Sequence, residues 1–178
     1  MPSTKFDADQ PIHSFLDCHA GIVSRLRPMG ELPQLVADAA RARKIATDVL
    51  ALFQDAVLEH HADEEKELFP AVVRSAMRGA ETVEVQQMVE RLVREHRAVE
   101  RLWKQLEPQV RKAAHGDEAT LDPAAVELLV SSYLVHANFE EQHFLPLAER
   151  ILARDGNHLA ALGLALHLRH APQPVGYI

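Results

Sequence analysis

Apolar residues recur every three or four positions along most of the chain, which is the spacing of one face of an α-helix. The first such stretch runs from about Ile12 to Leu26. A long second stretch follows Leu32-Pro33 and continues to about Met77. Pro70 lies inside this second stretch, and because proline removes a helical hydrogen bond we expect a kink or break just before it.

The second half of the chain has the same helical spacing. A third stretch runs from about Thr82 to about Ala114, and Asp122-Pro123 is a typical start for a fourth that continues to about Ala153. A short final helix is predicted at residues 158–169. Residues 1–10 are predicted to form a loose tail. The pattern predicts an all-α fold, an up-down-up-down antiparallel four-helix bundle with a short extra C-terminal helix. We expect one domain over residues 1–178, with its core at residues 12–153.

One segment of the chain occurs twice. His60 to Pro70 aligns with His136 to Pro146, and each copy reads His-x-x-x-Glu-Glu, then an apolar pair, then proline ten residues after the histidine. One further histidine precedes each copy at nearly the same distance, His19 in the first half and His96 in the second. Two similar helical hairpins would bring these side chains together around a pseudo-twofold axis.

Helical geometry supports a shared site. At about 100° per residue, side chains four positions apart lie on the same face of a helix, as His60 and Glu64 do. Glu64 falls within the apolar face, where a carboxylate is costly unless it is paired or bound to a cation. His61 with Glu65 has the same spacing, but Glu65 turns to the edge of that face and the second copy has no equivalent of His61. We therefore prefer the register of His60.

The histidine and glutamate of each copy, together with His19 and His96, form a mixed set of nitrogen and oxygen donors without thiolate. Such a set suits iron or manganese, with zinc as a further alternative. Six ligands are too many for one tetrahedral zinc but fit two ions that share bridging carboxylates and an oxo or hydroxo bridge. Glu67 and His143 lie seven positions after the histidines of the two copies and are candidates for orienting the ligands, with His143 also a candidate seventh ligand. The predicted metal ligands are His19, His60, Glu64, His96, His136 and Glu140.

Composition limits the classes of partner and compartment. The chain of 178 residues has a formal net charge of −7 and no basic run, so we expect neither nucleic acid nor an anionic membrane as a partner. Its single cysteine, Cys18, excludes an intrachain disulfide and a cysteine-based zinc site. The first residues lack the apolar core of a signal peptide, and no uncharged stretch is long enough to span a bilayer. We expect a soluble cytoplasmic protein.

These motifs resemble the hemerythrin-like family, the His-His-Glu cation-binding domains. The resemblance covers residues 12–153 and rests on the order and spacing of the motifs, which are His19, His60-x-x-x-Glu64-Glu65-x-x-Leu68-Phe69-Pro70, Glu95-His96 and His136-x-x-x-Glu140-Glu141-x-x-Phe144-Leu145-Pro146. It implies an up-down four-helix bundle with an oxygen-bridged di-iron centre. It also implies reversible binding of dioxygen or related small molecules.

The oxygen-carrying members of that family differ from this chain at two places. They carry a second histidine four residues after the one in the third helix, where this chain has Glu100, and they end with His-x-x-x-x-Asp, where this chain has His136-x-x-x-Glu140. One imidazole fewer should leave one more open coordination position. The resemblance therefore implies a protein that binds dioxygen or nitric oxide for sensing, storage or scavenging.

Two alternatives remain open at this point. The first is a di-iron oxidoreductase that acts on peroxide or activates dioxygen. The second is a ferritin-like carboxylate centre, because Glu140-x-x-His143 fits the Glu-x-x-His signature of that class. The other copy reads Glu64-x-x-Glu67, which departs from the signature.

Overall fold

The computed structural model describes residues 19–154, and all regular secondary structure in that range is helical, which confirms the all-α class. The chain divides into two compact units between Lys44 and Ile45. The prediction of one domain over residues 1–178 stays a prediction. The N-terminal tail and the final helix predicted at residues 158–169 lie outside the described residues.

The helices within residues 19–154 are α1 (19–26), α2 (Leu32–Leu52), α3 (Leu58–Asp63), α4 (Phe69–Ser75), α5 (Ala80–His115), α6 (Pro123–Phe139) and α7 (Leu145–Leu152). A 3-10 turn, Arg27–Glu31, joins α1 to α2. Three π-helical turns follow: Phe53–Val57 joins α2 to α3, Glu64–Leu68 joins α3 to α4, and Glu140–Phe144 joins α6 to α7. Because the π turns continue the helical path, three long helical runs cover residues 32–75, 80–115 and 123–152. No described helix is long and apolar enough to cross a membrane.

The first unit contains α1, the 3-10 turn and the beginning of α2. The structure ends α1 at residue 26, as predicted, while residues 12–18, where the helix is predicted to begin, lie outside the described residues. Pro28 lies in the 3-10 turn, and Pro33 is the second residue of α2. Proline is tolerated at the start of a helix because the N–H groups there have no intrahelical partner.

Two of the π turns lie directly before the prolines of the repeat. The N–H of Phe69 donates to the carbonyl of Glu64, and the N–H of Leu145 donates to the carbonyl of Glu140, five residues back instead of four. A proline ring inside an α-helix clashes with the carbonyl four residues earlier, and a wider turn relieves that clash. The interruption expected before Pro70 is therefore a π turn, which adds one residue to the helical path.

Local signals set the ends of α5 and α6. Gly79 before α5 has φ 107° and Gly116 after it has φ 81°, conformations that favour glycine. The side chain of Asp122 accepts a hydrogen bond from the N–H of Ala124 at 3.0 Å, which confirms the predicted N-cap, and Pro123 follows at the first helical position. The observed ends of α5, the start of α6 and the end of α7 lie within two residues of the predicted ones.

Helix α5 runs antiparallel to each of the other two helical runs of the second unit. Residues near the start of α5 contact residues near the end of α7, and residues late in α5 contact the end of α2. The pairs that fix these directions are Glu81 with Arg154 and Glu95 with His136 on one side of α5, and Glu65 with Arg97 and Phe53 with Trp103 on the other.

Two apolar clusters form the core of the second unit. One includes Phe69, Leu92 and Phe144, and the other includes Phe53, Val99 and Trp103. Helix α5 contributes to both, because its buried residues recur every three or four positions. His96, fully buried, occupies one of these core positions between Leu92 and Val99. Polar side chains thus interrupt the core where the two clusters meet along α5.

Candidate metal centre

Three helical runs place histidines and glutamates at this interruption of the core. Helix α3 carries His60 and His61, α5 carries His96, and α6 carries His136 near its C-terminal end. The two repeat-related π turns each begin with a glutamate that points inward. Side chains that could hold a metal form two groups, His61 with His96 and His136, and His60 with Glu64 and Glu140, and within each group one ligand atom per residue lies within 4.8 Å of the others.

The histidine group is buried. His61, His96 and His136 each expose 1% or less of their surface. The ring of His61 stacks on that of His96 at a centroid distance of 3.9 Å, and His136 meets both edge-on. Burial and the neighbouring imidazoles lower the pKa of His61 to about 3, and they also lower the pKa of His136. The neutral form that results is the form of histidine that binds a metal ion.

The carboxylate group brings two glutamates together. His60 Nε2 lies 3.3 Å from Glu64 Oε1, and the His60 side chain is 41% exposed whereas Glu64 is buried. Burial beside Glu64 raises the pKa of Glu140 to about 9. Burial would also raise the pKa of Glu64, but its contacts with His96 and with the Glu140 carboxyl lower it to about 2. The pair therefore holds one proton and one negative charge at neutral pH, and a cation would take the place of the proton.

The two groups adjoin each other. His96 Nε2 lies 3.3 Å from Glu64 Oε2, and His136 Nε2 lies 3.7 Å from Glu140 Oε2. Six side chains from three helical runs therefore form one cluster, made of two neighbouring three-ligand groups. This arrangement provides donors for two metal ions side by side.

Unsatisfied buried atoms test whether these residues fit a metal. Within the described part of the chain, five buried side-chain atoms lack a hydrogen-bond partner: His61 Nδ1 and Nε2, Glu64 Oε2, His96 Nε2 and Glu140 Oε1. All five belong to this cluster. A buried polar atom without a partner costs about 1–3 kcal/mol, and each of these atoms is a common metal donor. The residues present fit a metal centre.

Carboxylates also surround the outer side of the histidine group. Glu65 Oε1 lies 2.8 Å from His96 Nδ1, and Glu95 Oε2 lies 3.3 Å from His136 Nδ1. Burial lowers the pKa of His96, but contacts with Glu64 and Glu65 outweigh that effect and raise it. A carboxylate on one ring nitrogen orients the imidazole and leaves the other nitrogen for a metal.

A cavity of about 380 Å³ lies beside the carboxylate group. Besides His60, Glu64 and Glu140, its walls include Leu68 and Tyr133. Burial, together with the two carboxylates, raises the pKa of Tyr133, so its hydroxyl stays protonated at neutral pH. The cavity is large enough to admit a small molecule to this side of the cluster.

The structure brings five of the six predicted ligands into the cluster. They are His60, Glu64, His96, His136 and Glu140. His19 lies in α1, in the first unit, and its part in the site stays a prediction. Glu67 is half-buried and His143 is exposed with its ring near Phe139, and neither belongs to the two groups of described residues that could hold a metal. Their suggested roles beside the ligands also stay predictions.

The structure also places His61 and Glu65, which the sequence pattern did not favour, beside the cluster. His61 is as buried as His96, and Glu65 contacts the His96 ring. A helical wheel based on the apolar residues before Phe53 assumes about 100° per residue along the whole helical run. The π turn Phe53–Val57 lies between those residues and α3 and adds a residue to the path. The buried face of α3 therefore includes His61, which is 1% exposed, whereas the His60 side chain is 41% exposed.

Comparisons with known proteins agree with this site. The sequence model of the hemerythrin HHE cation binding domain matches residues 10–148, most of the chain. A protein of Haemophilus influenzae that is named only as uncharacterized is 25% identical over 160 residues, which cover 86% of this chain and 90% of that protein. No solved structure matches the chain significantly. The chain belongs to the hemerythrin HHE cation-binding domain family.

Proposed function

We propose that this HHE-domain protein holds two iron ions in its His/Glu cluster and binds dioxygen or nitric oxide there, for sensing, storage or scavenging. The observation that carries the proposal is the pair of adjoining three-ligand groups, whose buried donor atoms lack hydrogen-bond partners. Imidazole and carboxylate donors without thiolate suit iron, and manganese or zinc rank after it. An up-down-up-down four-helix bundle is part of the proposal, with residues 12–26 as its predicted fourth helix beside the three described helical runs.

The chain's own residues have distinct parts in this proposal. His96 and His136 would hold one ion, and His60 with Glu64 and Glu140 would hold the other. Reduced iron supplies electrons and an open coordination position to a diatomic ligand. Leu68, Ala137 and Leu145 are the apolar side chains that line the cavity beside that position.

A second candidate function is an oxidoreductase that acts on peroxide or activates dioxygen. The observation that favours it is the exposure of His60, which is 41% and contrasts with the fully buried histidine group. The cavity beside His60 would give a substrate or reductant a path to the carboxylate side. A reversible oxygen binder needs a closed apolar pocket on that side instead.

Metal content and the optical spectrum of the chain purified with iron supplied test the proposal. We expect two irons per chain and near-ultraviolet absorption that bleaches with dithionite. Glu140→Ala should lose iron, whereas His115→Ala, which changes an exposed histidine at the end of α5, should keep it. A wild-type chain without bound iron would contradict the proposal.

Exposure of the reduced protein to air separates the two candidate functions. A binder is expected to change its spectrum in air and to return to the spectrum of the reduced protein when dioxygen is removed under inert gas, over repeated cycles without further reductant. Continuous turnover of added peroxide with a reductant is expected of the oxidoreductase. The same iron-loaded sample serves both assays, so metal content does not differ between them.

A further inference from the structure

We infer that His61 is a metal ligand and completes a three-imidazole site with His96 and His136. This inference rests on the proposed function and adds a residue to it. The repeated His-x-x-x-Glu pattern begins at His60, one position earlier, and the second copy has no equivalent of His61. The inference comes from the position and surroundings of the His61 ring.

The first argument is the state of the His61 ring. Its surface is 1% exposed, and both of its nitrogens lack a hydrogen-bond partner. The nearest carboxylate oxygen, Glu100 Oε1, lies 3.5 Å from Nδ1, beyond the usual length of a hydrogen bond. A neutral imidazole has one donor and one acceptor to satisfy. Packing alone would favour leucine or phenylalanine at this position, because those side chains carry no polar atoms to desolvate.

The second argument is convergence from three helices. The His61 ring on α3 is nearly parallel to that of His96 on α5, with an interplanar angle of 5°, and the ring of His136 on α6 stands at 77° to it. One nitrogen from each ring falls within 4.8 Å of the others. Two nitrogens that share one ion at about 2.1 Å each lie no more than about 4.2 Å apart. Because a metal lies close to the plane of a ligating imidazole, the His61 ring would have to tilt out of its stacking with His96 to bring the three nitrogens onto one ion.

The third argument is the arrangement of carboxylates behind the three rings. His61, His96 and His136 each turn Nδ1 toward a glutamate, at 3.5, 2.8 and 3.3 Å respectively. The partners are Glu100, Glu65 and Glu95. This pattern of carboxylate, histidine and metal is the usual support for a ligating imidazole. The separation of His61 Nδ1 from Glu100 is longer than a hydrogen bond, but His61 is otherwise placed like His96 and His136, two residues already expected to bind metal.

Cobalt(II) is the probe for the test, because its visible absorption reports the number and geometry of bound ions without any assay of activity. Wild type is titrated with cobalt beside His61→Leu and the matched control His115→Ala. We expect two cobalt ions in wild type and in the control, and one in His61→Leu. Two ions with an unchanged spectrum in His61→Leu would overturn this inference and leave the proposed function standing. A wild-type chain that binds no cobalt would overturn both.

A second variant guards against misfolding and tests the geometry. Position 100 lies one turn after His96 on the same face of α5, and its side chain faces His61. The double variant His61→Leu/Glu100→His should therefore regain the second cobalt ion. Metal-free His61→Leu should melt at or above the temperature of wild type, because the substitution removes an unsatisfied buried ring. If His61→Leu folds with that stability and still binds two ions, His61 is a packing residue and the inference is wrong.

Discussion

Glu65→Gln tests whether a carboxylate outside the cluster sets the affinity for metal. Glu65 Oε1 accepts a hydrogen bond from His96 Nδ1 at 2.8 Å, if the ring is in the tautomer that leaves Nε2 free. Glutamine keeps the shape of the side chain and an oxygen that can accept the same bond. The substitution therefore removes mainly a negative charge. We expect weaker binding of a divalent ion at Nε2, on the far side of the His96 ring.

The magnitude follows from the distance between the charge and the ion. An ion on Nε2 would lie roughly 7 Å from the Glu65 carboxylate, across a contact of 2.8 Å, the ring and a metal–nitrogen bond of about 2.1 Å. At effective dielectric constants of about 20 to 80, one charge at that distance stabilises a divalent ion by about 1–5 kcal/mol. Glu65 is 20% exposed, so water screens part of this energy. We expect a loss of about 10- to 100-fold in affinity, as is typical of carboxylates that support metal-binding histidines.

The assay is competition for cobalt with a chelator of known affinity. Glu84→Gln is the matched control, since it makes the same change of charge at an exposed position of α5, about 18 Å along the helix axis from His96. Arg97→Gln tests whether the effect comes from the ion pair between Arg97 and Glu65 or from the charge of Glu65 itself, because it breaks the pair and leaves the Glu65 carboxylate in place. Arg97 is 47% exposed, and an exposed pair contributes at most about 1 kcal/mol, so its loss should change affinity by less than about fivefold.

Two results would refute this reasoning. The first is an affinity of Glu65→Gln that equals that of Glu84→Gln, which would mean that the charge on Glu65 does not act on the ion. The second is an equal loss in Glu65→Gln and Arg97→Gln, which would assign the effect to the ion pair and the local structure it holds. Only a loss confined to Glu65→Gln supports electrostatic tuning through His96.

Three further predictions concern stability. Asp122→Ala removes the N-cap of α6 and should lower the free energy of unfolding by about 1 kcal/mol in urea, with metal content unchanged. Phe144→Ala removes a fully buried ring that meets Phe69 edge-on at 5.1 Å and should cost about 3–5 kcal/mol in the same assay. Below pH 6.5 the lowered pKa values of His61 and His136 offset the effect of the raised pKa of Glu140. Metal-free protein should therefore lose stability as the pH rises from 6.5 toward 9, because the pKa of Glu140 is raised to about 9 in the folded state and its proton must leave a carboxyl that is buried beside Glu64. Urea unfolding at several pH values checks this sign, Glu140→Gln should flatten the dependence, and a rise in stability of wild type over that range would contradict it.

Much of the fold follows from signals that are local in the sequence. Both ends of α5 and the start of α6 were predicted to within two residues, because glycines in the left-handed region and the Asp122-Pro123 pair act within one turn of the backbone. The pairing of each repeat histidine with the glutamate four positions later is equally local. Because the motif occurs twice, the same local pairing of histidine with glutamate is present in both halves of the metal centre. For this reason five predicted ligands lie together in the structure.

Tertiary structure decided the remaining parts of the site. His61 stacks on His96, and Glu65 contacts both His96 and Arg97, across separations of more than thirty residues that no local pattern encodes. Helical periodicity assumes a constant angle per residue, whereas the three π turns each add a residue to the path. The chain by itself determines which residue types are available and how they repeat. Prolines account for two of the π turns, but the turn Phe53–Val57 before α3 has none, and the packing of α3 against α5 buries His61 and leaves His60 partly exposed.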